Sequence, residues 1–127
     1  MNLSVKLTAV ERDTAVVTLD GELDVSNLAL LDAVLLPLPG RGVRNLVVDA
    51  ARLRFCDVCG WRTLESTDDI LAASGGSLAI ASPPPELRRL AEMMRELSSP
   101  ADLPIKMYDS VDHALEETSG DLSRPYR

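Results

Sequence analysis

Aromatic residues are nearly absent from this chain: one Trp, one Phe and two Tyr make up 3% of its 127 residues. The core must therefore be built from Leu, Val, Ile and Ala, which the 46% apolar share supplies. Basic residues are also in deficit, with 13 Lys and Arg against 20 Asp and Glu and a net charge of −7. Nucleic acids and anionic membranes are bound through clustered Lys and Arg, so neither is expected as a partner. Two cysteines are too few for a disulfide framework, and the single histidine, His113, cannot complete a four-ligand zinc site with them. No apolar run approaches the length needed to span a bilayer. Met1 to Lys6 lacks the apolar stretch of a secretion signal, so a cytoplasmic protein without direct membrane insertion is expected. A chain this long builds one core and is too short for two.

The pattern along the chain alternates between strand and helix periods. Leu3, Val5, Leu7 and Ala9 alternate with polar residues, and Ala15 to Leu19 follows after a short polar turn, which predicts a hairpin. Asp20 to Val25 reads as a loop pivoting on Gly21. Ser26 is then placed to cap a helix carrying Leu28, Leu31, Leu35 and Leu38, which Pro37 and Pro39 cut short. Val43 to Asp49 is a near-continuous apolar strand of the kind parallel sheets bury. A second helix follows with Trp61, Leu64, Thr67 and Leu71 on one face and ends at Ser74-Gly75-Gly76. Ser77 to Ala81 predicts a strand, Pro83-Pro84-Pro85 opens a helix with Leu87, Leu90, Met94 and Leu97 inward, and Ile105 to Tyr108 predicts a last strand. Ser110 caps a closing helix with Val111, Ala114 and Leu115. The order β-β-α-β-α-β-α-β-α is that of an α/β fold with a mixed, mostly parallel sheet and about four helices. Residues 1–118 form the domain, and the polar stretch 119–127 is expected to be a disordered tail.

Chemistry concentrates at Leu46-Val47-Val48-Asp49 running into Phe55-Cys56-Asp57-Val58-Cys59-Gly60-Trp61. Asp57 is an N-cap for the second helix, and the exposed N–H groups and positive dipole end there favour a negative group near Val58, Cys59 or Gly60. This junction resembles the phosphorylation loop of STAS domains, the family of bacterial anti-sigma-factor antagonists. In that family a buried strand ending in Asp leads to an apolar pair and Asp-Ser-Ser-Gly, whose second Ser takes phosphate from a partner kinase. Asp57 and Gly60 keep the frame, while Val58 and Cys59 stand where the serines would be. Three further stretches resemble the family: Val17 to Asp24, with its Gly21-Glu22-Leu23-Asp24 turn, Pro83 to Leu90, and Tyr108 to Leu115. The order of elements is similar to the STAS fold from about Leu3 to Glu117, and with these stretches implies that fold.

The resemblance implies a regulatory binding protein and not an enzyme. Its partner would be an anti-sigma factor with a kinase-type ATPase fold, docked through Glu22, Asp24, Asp57, Val58, Cys59 and Gly60, with no cofactor and no metal. Cys59 at the phosphosite position implies an antagonist that the usual kinase reaction does not switch off. Two other readings stay open. A STAS protein can instead be a subunit of a stressosome or of a transporter ATPase complex. Cys56 and Cys59 also form Cys-x-x-Cys, which could act as a redox sensor or an oxidoreductase dithiol, although the aromatic-Cys-Gly-Pro-Cys surround of thioredoxin-like enzymes is missing. Thr63 and Ser66 fall inside the second helix, where geometry makes them poor phosphate acceptors. Trp61 is expected in the core, and His113, Asp68-Asp69 and Glu116-Glu117 on solvated helix faces. No hydrolase triad, phosphate-binding Gly loop or paired-carboxylate site is present.

Overall fold

The computed structural model describes residues 2–99 and 103–123, with side chains to residue 118. Strand β1 (Leu3–Glu11) turns back antiparallel into β2 (Thr14–Leu23), and a 3₁₀ turn at Val25–Asn27 leads into α1 (Leu28–Leu35). Strand β3 (Asn45–Cys56), α2 (Val58–Ala72), β4 (Ser77–Ala81), α3 (Pro85–Glu96), β5 (Lys106–Tyr108) and α4 (Val111–Ser123) follow. The five strands lie in the order of the sequence, and β2 to β5 pair in parallel. This is the mixed, mostly parallel sheet with four helices that the sequence predicts.

Apolar side chains on the two faces of β2 and β3 sort the helices into layers. Val17, Leu19, Leu46, Val48 and Leu53 join one large cluster with Leu31 and Leu35 of α1, Trp61, Leu64 and Leu71 of α2, and Leu87 and Met94 of α3. Val16 and Val47 point the other way and join Ala81 and Ala114 in a smaller cluster against α4. One face thus carries three helices and the other carries one, which leaves a polar part of the second face, beyond Val16, uncovered on β1 and β2. A recess of about 230 Å³ lies there between Ser4, Lys6, Thr8, Thr18, Asp20 and Arg52.

Several boundaries differ from the sequence reading, each for a physical reason. Asp20 to Leu23 is strand and not loop, because β2 and β3 stay hydrogen-bonded to the pairs Glu22–Phe55 and Leu23–Cys56. That extended pairing draws β3 seven residues past Asp49, with register shifts after Thr18 and Gly21. Ser26 does not cap α1. Asp24 does the capping one turn earlier, by accepting from Ser26 N–H while Asn27 Oδ1 accepts from Asp24 N–H. Leu97 ends α3 and stands 74% exposed, so Leu87 and Met94 alone anchor that helix fully. Asp68 is half-buried and accepts the Leu78 N–H at 2.8 Å, joining α2 to β4 rather than facing solvent. Helix α4 continues to Ser123, five residues into the stretch expected to be a tail, and the remainder of that stretch lies outside the described residues.

Candidate functional site

The carboxyl ends of β2 and β3 bring together the two segments singled out in the sequence. Leu23 pairs with Cys56, and the Asp57 N–H donates to the Leu23 carbonyl at 3.0 Å. Asp57 itself is extended, with φ −91° and ψ 179°, and its Oδ1 accepts the Gly60 N–H at 2.8 Å, the cap expected of an Asp before a helix. Its Oδ2 accepts the Val25 N–H at 3.2 Å. One carboxylate therefore ties the first turn of α2 to the 3₁₀ turn after β2. Gly60 is small for a reason that lies across this junction. A Cβ there would stand 2.7 Å from Cγ of Leu23 and 3.2 Å from Sγ of Cys56.

The remaining acidic groups at this end are also partnered. Asp24 accepts from both the backbone N–H and the hydroxyl of Ser26, and these two bonds hold its carboxyl below the usual range. Glu22 Oε2 accepts from Nε and Nη2 of Arg54 at 3.2 and 3.1 Å, and Asp20 lies 3.6 Å from the same guanidinium. These exposed pairs contribute little to stability, and one guanidinium against two carboxylates leaves the group net negative.

The two cysteines occupy different environments. Cys59 is exposed in the first turn of α2, while Cys56 is partly buried against the large core cluster. Burial, assisted by the Asp57 charge, pushes the Cys56 thiol up to about 12. Thiolate is the reactive form, so Cys56 is chemically quiet at neutral pH. The extended Asp57 separates the two residues, leaving Cys56 on the strand and Cys59 on the helix. Among the described residues, no group of three or more His, Cys, Asp or Glu is arranged to hold a metal ion.

Three apolar residues close to Asp57 in sequence or through its hydrogen bonds are open to solvent, beside the exposed Cys59, Ser26 and Arg54. Val25 is 68% exposed, Phe55 46% and Val58 40%, and the three come from three different elements. Sequence reasoning selected Val58 but passed over Val25, Phe55 and Arg54. Phe55 is the chain's single Phe, placed two residues before the capping Asp, and that position was the available signal. Trp61 lies 3% exposed in the core as expected, with its indole Nε1 lacking a partner. Thr63 and Ser66 lie within α2, and the Thr63 hydroxyl donates to the Cys59 carbonyl. His113 is exposed and meets the Tyr108 ring edge-on, while Glu116 and Glu117 face solvent. No helix among the described residues is long and apolar enough to cross a membrane.

Comparison with known proteins agrees with this architecture. The family model described as "Mlab, STAS domain" matches residues 7–95. The anti-sigma factor antagonist SpoIIAA in its unphosphorylated form superposes with a TM-score of 0.72 at 23% identity, covering 92% of this chain and 99% of that one. A putative anti-sigma factor antagonist from Thermotoga maritima gives 0.75 at 18% identity, covering 92% and 94%. An anti-sigma factor antagonist from Mycobacterium paratuberculosis gives 0.77 at 18%, covering 93% and 95%. At these identities the likeness establishes the fold. No curated protein matches the sequence.

Proposed function

Because this chain belongs to the STAS domain family, we propose that it is a regulatory binding module that antagonises an anti-sigma factor, and that phosphorylation at the family's usual position does not end the interaction. The observation that carries this reading is the junction at Asp57. It has the frame of a phosphoacceptor loop, with an exposed side chain in the helix's first turn, but that side chain is the thiol of Cys59. Phosphorylating a serine there would add about −2 charge in the middle of a docking surface and oppose binding. Without the hydroxyl, the module stays competent while ATP is present. Binding and not catalysis suits the site, whose carboxylates are engaged in caps and an ion pair. The partner in this reading is an anti-sigma factor with a kinase-type ATPase fold, docked over Glu22, Asp24, Asp57, Val58, Cys59 and Gly60, and the setting is the cytoplasm.

The test is an intact-mass and gel-filtration assay of the wild-type chain and Cys59→Ser with the host's candidate anti-sigma kinases and Mg-ATP. Complexes with both, and about 80 Da of added phosphate on the Ser variant alone, are the expected outcome. Stoichiometric phosphate on the wild-type chain would overturn the escape from phosphorylation. A second reading keeps the fold and changes the partner: a subunit of a larger assembly, such as a stressosome or a transporter ATPase complex. The matching family model names a STAS domain and no anti-sigma antagonist, which is consistent with this reading as well. Co-purification with a membrane ATPase or a large STAS assembly, and no binding to any anti-sigma kinase, would select it.

A further inference from the structure

We propose that β1 is a self-association site whose occupant is the β1 of a second copy of this chain, paired antiparallel about a two-fold axis between Thr8 and Ala9. The inference does not depend on the antagonist reading. Strand β1 stands at one end of the sheet order and is paired on one side only, to β2. Its other side is an open edge of nine residues, whereas β5 at the opposite end of the sheet has three. An open edge offers unpaired N–H and C=O groups to another strand, and natural edges are defended by charges, Pro or bulges. From Leu3 to Glu11 there is no Pro, and Lys6 and Glu11 are the only charges. The one irregularity is the register shift between Leu7 and Ala9, and it favours one partner.

Residues directly opposite each other in an antiparallel pair put their side chains on the same face. Leu7 is opposite Val17 and Val10 opposite Ala15, so both lie on the face of the large cluster. Ala9 is opposite Val16 and Lys6 opposite Thr18, on the other face, where Lys6, Thr8 and Thr18 line the recess. Glu11 is opposite Thr14, which alternation along β2 puts on that same face. The order of faces from Lys6 to Glu11 is therefore the same in both directions. A strand pairs with its own copy about an axis perpendicular to the sheet only where opposed residues share a face. About the axis between Thr8 and Ala9, Lys6 opposes Glu11 and Leu7 opposes Val10, and every pair meets that condition. Without the shift, Lys6 and Glu11 would lie on opposite faces and could not meet.

The same register is complementary in chemistry. Lys6 and Glu11 are both exposed, and among the described residues neither has an ion-pair partner in its own chain. The two-fold axis gives each of them an opposite charge, twice over. On the other face Leu7 and Val10 are 42% and 56% exposed, and the axis sets each against its counterpart in the copy. Helix α1 packs in the same cluster as Leu3 and Val5 and carries a single charge, Asp32. Two chains of net charge −7 repel, so a stretch with one Lys and one Glu is where they can approach. The pair is closed, because it uses the long edge of both copies. Antiparallel β1 strands also point the two Asp57 junctions in opposite directions, leaving both open.

Sedimentation equilibrium of the full chain, from about 10 μM to about 1 mM, tests the pairing with Lys6→Glu, Glu11→Lys and the double swap. A reversible dimer of twice the 13.7 kDa chain mass is expected. Each single swap opposes like charges at both Lys6–Glu11 contacts and should weaken the dimer by about tenfold or more, and the double swap should restore it to within about threefold. A misfolded variant cannot mimic that rescue. Hydrogen exchange should show the amides of Lys6 to Glu11 gaining protection as concentration rises. A monomer at every concentration, a dimer indifferent to both single swaps, or growth beyond the dimer would each overturn the inference. A monomer whose β1 amides are protected only when an anti-sigma factor is added would overturn the second copy as occupant and give the edge to that partner.

Discussion

Val25 and Asp57 are joined across the top of the sheet, the Val25 N–H donating to Asp57 Oδ2 at 3.2 Å over 32 residues of sequence. The other oxygen of that carboxylate caps α2 through Gly60. Asp57→Ala removes both bonds, and a loss of about 1–2 kcal/mol is expected, in line with N-cap deletions. Asp57→Asn keeps one oxygen for Gly60 but turns an amide N–H₂ toward Val25, so its loss should be smaller. Urea unfolding of the two variants checks the ranking.

Gly60→Ala tests how tightly α2 sits on β2. The added Cβ meets Leu23 Cγ at 2.7 Å, and Leu23 is fully buried, so neither side can yield without disturbing the core. A destabilisation of about 1–3 kcal/mol is expected, the usual cost of overpacking. Gly40→Ala is the control, because nothing lies within 4 Å of the new methyl and its backbone is not left-handed. It should be neutral or slightly stabilising. Thermal melts of the two variants give the comparison.

The cysteines should separate by reactivity. Cys59 is exposed and Cys56 is partly buried, so one equivalent of a thiol reagent should be consumed quickly at neutral pH and the second only on unfolding. Fast labelling of two thiols in the folded chain would contradict the burial of Cys56.

The high Cys56 pKa also makes a statement about stability in alkali. Below about pH 9 the thiol is protonated in both states and contributes no pH dependence. Between 9 and about 12 only the unfolded chain ionises, so stability falls as pH rises, by up to about 1.4 kcal/mol per pH unit. Cys56→Ala should flatten that limb of a stability–pH curve measured with urea.

Asp24 and Asp68 should act in opposite directions in acid. Asp24 has a lowered pKa, from its bonds to Ser26, so its contribution is present above the unfolded carboxyl pKa near 4 and is lost as pH falls through the lower folded value. Asp68 has a raised pKa because burial disfavours its charge, so the folded state resists ionising it and is penalised at neutral pH. Asp68→Asn keeps an oxygen for the Leu78 N–H and should be neutral or stabilising at pH 7, with the difference shrinking below pH 4. Asp24→Ala should lose stability at pH 7 and flatten the acid limb.

Much of this architecture is legible in local sequence. Helical spacing of Trp61, Leu64 and Leu71 and the Asp57–Gly60 cap are set by near neighbours, and the structure places them as read. Leu3 to Ala9 is a strand as expected, but its alternation does not become alternating burial, because Leu7 and Ala9 are exposed at a register shift. The candidate site is less legible. The Val25–Asp57 bond and the pairing of Arg54 with Glu22 each span 32 residues. Nothing in either segment alone signals such a bond.

The sequence by itself determined the order of strands and helices, because hydrophobic period, Pro, Gly and Asp at element ends act within a few residues. Tertiary structure decided where β2 and β3 end, since their pairing to Leu23 and Cys56 converts an expected loop into strand. It also decided which acids are free. Glu22, Asp24 and Asp57 read as available charges in one dimension, and only the folded chain brings each to the backbone N–H, hydroxyl or guanidinium that engages it. A hydrogen bond forms at about 3 Å, and that distance between remote segments is a property of the packed sheet.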